Sequence, residues 1–162
     1  MSLLYKDRLF PQNDPALSLA RDLYSSVKNL PIISPHGHCD PSWFSENQRF
    51  PDPAKLFVVP DHYVFRMLVS HGVTLTELGI KTIDDSISEN DPRKIWTKFS
   101  ENYYLFRGTP TAMWLDYSFE KVFEITEPLT LATSDLYYNH IEEKLAQPEY
   151  LPKALFDKFN IE

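Results

Sequence analysis

Proline placement constrains this chain more than any other feature. Thirteen prolines stand against only four glycines. Several follow a residue that caps helices: Asp14-Pro15, Asp52-Pro53, Asp91-Pro92 and Thr109-Pro110. An Asp or Thr at the N-cap accepts from a free backbone N–H of the first turn. Proline at the first helical position gives up only an N–H that has no partner there. The punctuation predicts helices opening at residues 15, 53, 92 and 110, and so a mainly α chain.

The apolar spacing agrees. Ala16, Ala20, Leu23, Tyr24 and Val27 mark one face of a helix over 15–28, and Ile95, Trp96, Phe99, Tyr103 and Phe106 one over 92–106. Met113, Trp114, Tyr117 and Val122 belong to a helix over 110–123, and Tyr137, Ile141 and Leu145 to one over 134–147. These aromatic stripes read as core packing between helices. Shorter helices are expected after Pro53, over 61–71 with Gly72 as its stop, from the capping box Thr74-Leu75-Thr76-Glu77, and over 152–159. The acidic stretch 84–91 reads as a solvated loop.

One segment breaks the helical pattern. Leu30-Pro31-Ile32-Ile33-Ser34 is a short apolar run with β-branched residues at its centre. It reads as a buried strand of the parallel-sheet kind. The expected fold is therefore helical with one or two short strands, and the strand's neighbours are not in evidence.

Composition narrows the partners. Sixteen Lys and Arg against 23 Asp and Glu leave a net charge of −7, which argues against nucleic acid and anionic membrane as partners. With 162 residues the chain is too short for a complete (β/α)₈ barrel, which needs about 250. A single cysteine, Cys39, fits a reducing compartment, and no run is apolar enough for a membrane span or a leader, so a cytoplasmic protein is expected.

The chemistry concentrates directly after the predicted strand, in His36-Gly37-His38. In an extended segment residues i and i+2 point the same way, so both imidazoles can reach one metal ion. Carboxyl ends of parallel strands are where α/β enzymes place their sites. Solvated loop histidines are the bland alternative. Asp61-His62-Tyr63, with Arg66 one turn later, opens a helix and offers groups that can grip an oxygen-rich anion. A surface helix start with a helical ion pair is the alternative there. Cys39 points away from His38 in an extended chain, and His71 and His140 lack a partner pattern.

PIISPHGHCDP followed by DHYVFRMLVSHGV, with TPTAMWLDYSF, Phe123-Glu124-Ile125 and the ending LFDKFNIE, resembles the N-terminal part of the uronate (glucuronate) isomerases of the amidohydrolase superfamily. The likeness runs along essentially the whole chain. It implies a metal-bearing (β/α)₈ parent fold whose first strand carries the His-x-His pair and is followed by a helical region. Residues 1–162 would form one unit: 1–41 the first helix and strand, 42–158 the helical region, and 159–162 the lead into a second strand. The resemblance further implies His36 and His38 as ligands of a divalent metal, normally zinc. His62 and Tyr63 would be catalytic and substrate-binding residues, with Arg66 a further substrate contact.

The implied reaction is aldose–ketose isomerisation of D-glucuronate to D-fructuronate and of D-galacturonate to D-tagaturonate, in a homo-oligomer. Ile33-Ser34-Pro35 before His36, and Leu115-Asp116-Tyr117-Ser118 after Trp114, depart from the family's usual wording and mark a divergent branch. The remaining ligands and acid–base groups come from later strands in that family, so the 162-residue chain is expected to be an N-terminal piece, inactive alone. Two other readings are a non-catalytic helical module acting by self-association and another amidohydrolase-type metal hydrolase.

Overall fold

A computed structural model describes residues 2–11, 14–83 and 88–162. Its helices are α1 (Pro15–Val27), α2 (Ser42–Glu46), α3 (Pro53–Phe57), α4 (His62–Ser70), α5 (Pro92–Glu101), α6 (Pro110–Tyr117), α7 (Ser134–Leu145) and α8 (Pro152–Lys158). Single 3₁₀ turns at Thr76–Leu78, Tyr103–Phe106, Leu131–Thr133 and Pro148–Tyr150 join them, and a π turn at Ser118–Val122 extends α6. The chain divides into two compact units. One comprises Met1–Leu3 and Phe50–Gln147, the other Leu4–Arg49 and Pro148–Glu162.

The caps read from the sequence are in place. Asp14 accepts from the Ala16 N–H at 2.8 Å, Asp52 from Lys55 at 2.8 Å, Asp91 from Arg93 at 2.9 Å and Thr109 from Ala112 at 3.2 Å. Each follows the rule that a short oxygen side chain satisfies one orphan N–H of the first turn. Thr74 and Glu77 form the reciprocal box: the Thr74 N–H donates to Glu77 Oε2 at 2.9 Å and the Glu77 N–H to Thr74 Oγ1 at 3.3 Å. The Thr74 N–H and hydroxyl, both donating to the Glu77 carboxylate, hold that carboxyl below its ordinary range. The box opens a 3₁₀ turn that Gly79 closes at φ 71°. That positive φ favours glycine, and a Cβ there would also come within 3.0 Å of the Glu89 carbonyl oxygen and 2.6 Å of Ile95 Cδ1.

The larger unit is built around aromatic packing. Trp96, Phe99, Phe106, Phe119 and Tyr137 are fully buried. Trp96 meets Phe99 at 5.2 Å between ring centroids, and Phe119 meets Tyr137 edge-on at 5.1 Å. The polar atoms inside are paired, as burial demands. Trp96 Nε1 donates to the Ser134 carbonyl at 3.1 Å, Ser134 and Ser100 share a hydroxyl contact at 3.1 Å, and Tyr137 donates to the Glu127 carbonyl. Burial, with Asp116 and Glu127 nearby, pushes the Tyr137 hydroxyl well above its usual pKa.

In the smaller unit α2 packs on α8 through Phe44 and Phe156, edge-on at 5.1 Å. Asn47, in the left-handed conformation that ends α2, accepts from the Lys153 N–H at 3.0 Å. Arg21 of α1 pairs with Asp7 at 2.8 Å.

Several expectations need correction. Among the described residues there is no β-strand. Leu30–Ser34 contributes only a parallel bridge between Ile32 and Ile161, held by Ile32 N–H to Asn160 O at 2.7 Å and Glu162 N–H to Ile32 O at 2.9 Å. A strand of this apolar kind needs pairing on both edges and cover on both faces, whereas Ile32 is 54 % and Ile33 75 % exposed. The stretch expected to be one helix over 92–106 is α5 followed by a 3₁₀ turn, and that over 110–123 is α6 followed by the π turn. Nor are all the aromatic stripes core, since Trp114 and Tyr117 are more than half exposed. Helix α1 buries no residue at all. The loop expected over 84–91 falls at 84–87 outside the described residues.

Candidate functional site

His36 and His38 follow the bridged segment. The Ser34 hydroxyl donates to the His36 carbonyl at 2.9 Å and turns the chain. Beyond it, Asp40 accepts from the Ser42 N–H at 2.9 Å, which starts α2 and holds the Asp40 carboxyl below its ordinary range. Between these two anchors the imidazoles converge. His36 Nε2 and His38 Nε2 are 2.9 Å apart, with the rings edge to face and 4.9 Å between centroids. The i, i+2 expectation therefore holds in geometry although the segment is not a strand. Gly37 is not demanded by space, because a Cβ there would meet nothing within 4 Å.

The pair suits a divalent metal. Imidazole–zinc bonds of about 2.0–2.1 Å put two nitrogens of a tetrahedral site about 3.3 Å apart. At 2.9 Å the two nitrogens subtend about a right angle at such an ion. A shift of a few tenths of an ångström in one ring opens that angle to tetrahedral. Among the described residues no group of three or more His, Cys, Asp or Glu stands ready for one ion. The two histidines thus offer two candidate ligand nitrogens, and Cys39 is a free, exposed thiol.

His62 and Tyr63 form the first turn of α4, positioned by Asp61, whose carboxylate accepts from the Tyr63 N–H at 2.8 Å. Their rings are in tilted contact, with 4.2 Å between centroids and 33° between planes. Val64 and Leu68 anchor the helix in the core, so the His62–Tyr63 edge is held on a rigid element. Arg66 is exposed and makes no ion pair among the described residues, so the helical ion pair of the alternative reading is not formed there. His71 ends α4 and meets Tyr104 edge-on at 6.4 Å. His140 Nε2 is 2.7 Å from the Phe123 carbonyl and serves the end of the π turn.

Sequence reasoning missed one neighbour of this pair. Trp114 of α6 meets Tyr63 edge-on at 6.2 Å. Its helical spacing had grouped it with the core, and only the third dimension separates the two roles. A further concavity of about 420 Å³ in the same unit is lined by Tyr103, Arg107, Asp116 and Leu129. There the Tyr103 hydroxyl is committed to Asp116 at 2.7 Å, and burial together with that carboxylate raises its pKa.

Residues 5–162 match the family model described as glucuronate isomerase. The chain belongs to the glucuronate isomerase family. It is 52 % identical over 160 residues to a uronate isomerase of Rhizobium meliloti, covering 99 % of this chain and 34 % of the relative. It is 50 % identical over 159 residues to one of Xanthomonas euvesicatoria, with 98 % and 34 % covered. The crystal structure of glucuronate isomerase from Caulobacter crescentus superposes with a TM-score of 0.93 at 48 % identity, covering all of this chain and 34 % of that one. That of uronate isomerase from Thermotoga maritima gives 0.82 at 25 % identity, with 98 % and 32 % covered. The chain therefore spans about a third of the length of the relatives it matches. No helix among the described residues is long and apolar enough to cross a membrane.

Proposed function

We propose that this chain works as part of a metal-dependent uronate isomerase that interconverts D-glucuronate with D-fructuronate and D-galacturonate with D-tagaturonate. The observation that carries the reading is the convergence of His36 and His38 in a chain of this family. The parent fold is a (β/α)₈ barrel, in which the bridged segment around Ile32 acquires the parallel neighbours that its apolar sequence asks for. The protein is cytoplasmic, in keeping with a lone exposed thiol, and assembles as a homo-oligomer.

His36 and His38 hold the divalent metal, zinc by ligand type. When bound, the ion supplies Lewis acidity and a template for substrate oxygens. The chain's own part of the reaction is at His62 and Tyr63. In the isomerisation the C2–H bond of the aldose breaks, its proton passes to a base, and the C1 carbonyl oxygen takes up a proton. The resulting enediol then loses the O2 proton and gains one at C1, leaving the ketone at C2. The Tyr63 hydroxyl, with no hydrogen-bond partner among the described residues, is available to donate to the oxygen on which charge develops. His62, in ring contact with it, binds the neighbouring oxygen, and Arg66 on the same helix offers charge to the carboxylate.

The test is to incubate the product of the complete reading frame with each uronate and follow ketose formation by proton NMR. Amide and ester substrates serve in parallel. Ketose without hydrolysis is expected. Hydrolysis without ketose formation would assign the site to a metal hydrolase instead.

A further inference from the structure

Helix α6 turns Leu115 inward, 6 % exposed, and leaves Trp114 54 % exposed. An indole so placed contributes little to the core, and its neighbour explains it better. Trp114 approaches Tyr63 edge-on, with 6.2 Å between centroids and 76° between ring planes. Tyr63 is itself 55 % exposed and also lies against the His62 ring, 4.2 Å between centroids and tilted by 33°. The Tyr63 hydroxyl has no hydrogen-bond partner among the described residues, and its ring contacts there are with Trp114 and His62. An edge-to-face pair fixes a ring angle through the quadrupoles, which an aliphatic side chain of similar bulk does not do.

We propose that Trp114 is a positioning residue for Tyr63: the indole holds the phenol in the rotamer that presents its hydroxyl to the substrate oxygen. This deepens the isomerase reading and rests on Tyr63 acting there. Small misplacements of a group that stabilises developing charge are costly in rate, so the effect belongs to turnover and not to substrate capture.

The experiment uses the product of the complete reading frame with D-glucuronate, in the variants Trp114→Leu, Trp114→Phe, Tyr63→Phe and Trp114→Leu/Tyr63→Phe. Tyrosine-labelled NMR spectra accompany the kinetics, with the Tyr63 ring signals assigned by their loss in Tyr63→Phe. Trp114→Leu should lower kcat by roughly two- to tenfold and leave KM within about twofold. It should also move the Tyr63 ring signals. Trp114→Phe should restore most of kcat, and the leucine effect should vanish in the Tyr63→Phe background.

Equal losses in the leucine and phenylalanine variants would overturn the proposal, as would a leucine effect that persists without the tyrosine hydroxyl. So would full turnover in Tyr63→Phe. Wild-type protein with no isomerase activity would overturn the isomerase reading and Trp114's role in turnover with it. The Tyr63 signals would then still report whether Trp114 holds the ring, which keeps the two failures apart. Should Trp114→Leu not fold, Trp114→Met takes its place: a loss of kcat that vanishes in the Tyr63→Phe background supports the proposal, and full kcat in Trp114→Met refutes it.

Discussion

Replacing Trp96 tests the core on which α4 and its His62–Tyr63 edge are mounted. Trp96 is fully buried, touches Phe57, Phe99, Phe119 and Tyr138 with its ring, and donates to the Ser134 carbonyl at 3.1 Å. Trp96→Phe removes about three heavy atoms, roughly 2 kcal/mol at about 0.8 kcal/mol per buried methylene. It also removes a buried hydrogen bond, about 1 kcal/mol more. The sum, about 3 kcal/mol, is a large share of a domain stability of about 5–15 kcal/mol. With a urea slope of about 2 kcal/mol/M the midpoint should fall by about 1.5 M. Trp96→Ala adds a cavity and should cost about 3–5 kcal/mol or more, a larger loss than the phenylalanine variant's. Urea titration followed by far-UV circular dichroism measures both. A phenylalanine variant whose midpoint falls by less than about 0.3 M at unchanged slope would refute this account of the core.

Other outcomes follow from the same structure. In the product of the complete reading frame, His36→Ala or His38→Ala should lower metal content and turnover together, whereas His62→Ala should lower turnover with metal content intact. Metal analysis beside the rate assay separates the two, and undiminished metal in the His36→Ala/His38→Ala protein would exclude the pair as ligands. Tyr103 and Tyr137 are held protonated by burial and neighbouring carboxylates. The unfolded chain ionises from about pH 10 while the folded one does not, so the unfolded state binds fewer protons and stability falls as pH rises above about 10. Urea midpoints at about pH 9 and about pH 11 should differ in that direction, and equal midpoints would contradict the buried phenols. The 162-residue chain alone should be inactive and self-associate through the exposed Leu19, Leu23, Tyr24, Val27 and Ile33. Light scattering that stays monomeric over a wide concentration range would argue against the association.

What was legible in the sequence is what is decided locally. Asp14, Asp52, Asp91 and Thr109 cap the helices they announce, because a cap needs only the next three residues. The His36–His38 convergence also follows from spacing along a few residues of chain. Pairing is not local. Ile32 and Ile33 have the composition of a buried strand, but a strand exists only where other chain runs alongside it, and among the described residues the short stretch 160–162 does so through one isolated bridge. Nor does periodicity tell which face a ring takes. Trp96 and Trp114 both stand at helical spacing among aromatics, yet one is sealed in the core and the other leans on Tyr63. The π turn that follows α6 buries Phe119 and Val122 and is met at the Phe123 carbonyl by His140, a contact between residues far apart in sequence.

The paired imidazoles are the centre of the account, and one measurement reaches them directly. Crystals of the product of the complete reading frame, grown with zinc, should show an anomalous difference peak at the zinc edge within about 2.0–2.1 Å of both His36 Nε2 and His38 Nε2. A metal-loaded protein whose peak lies elsewhere, with those two nitrogens uncoordinated, would contradict it.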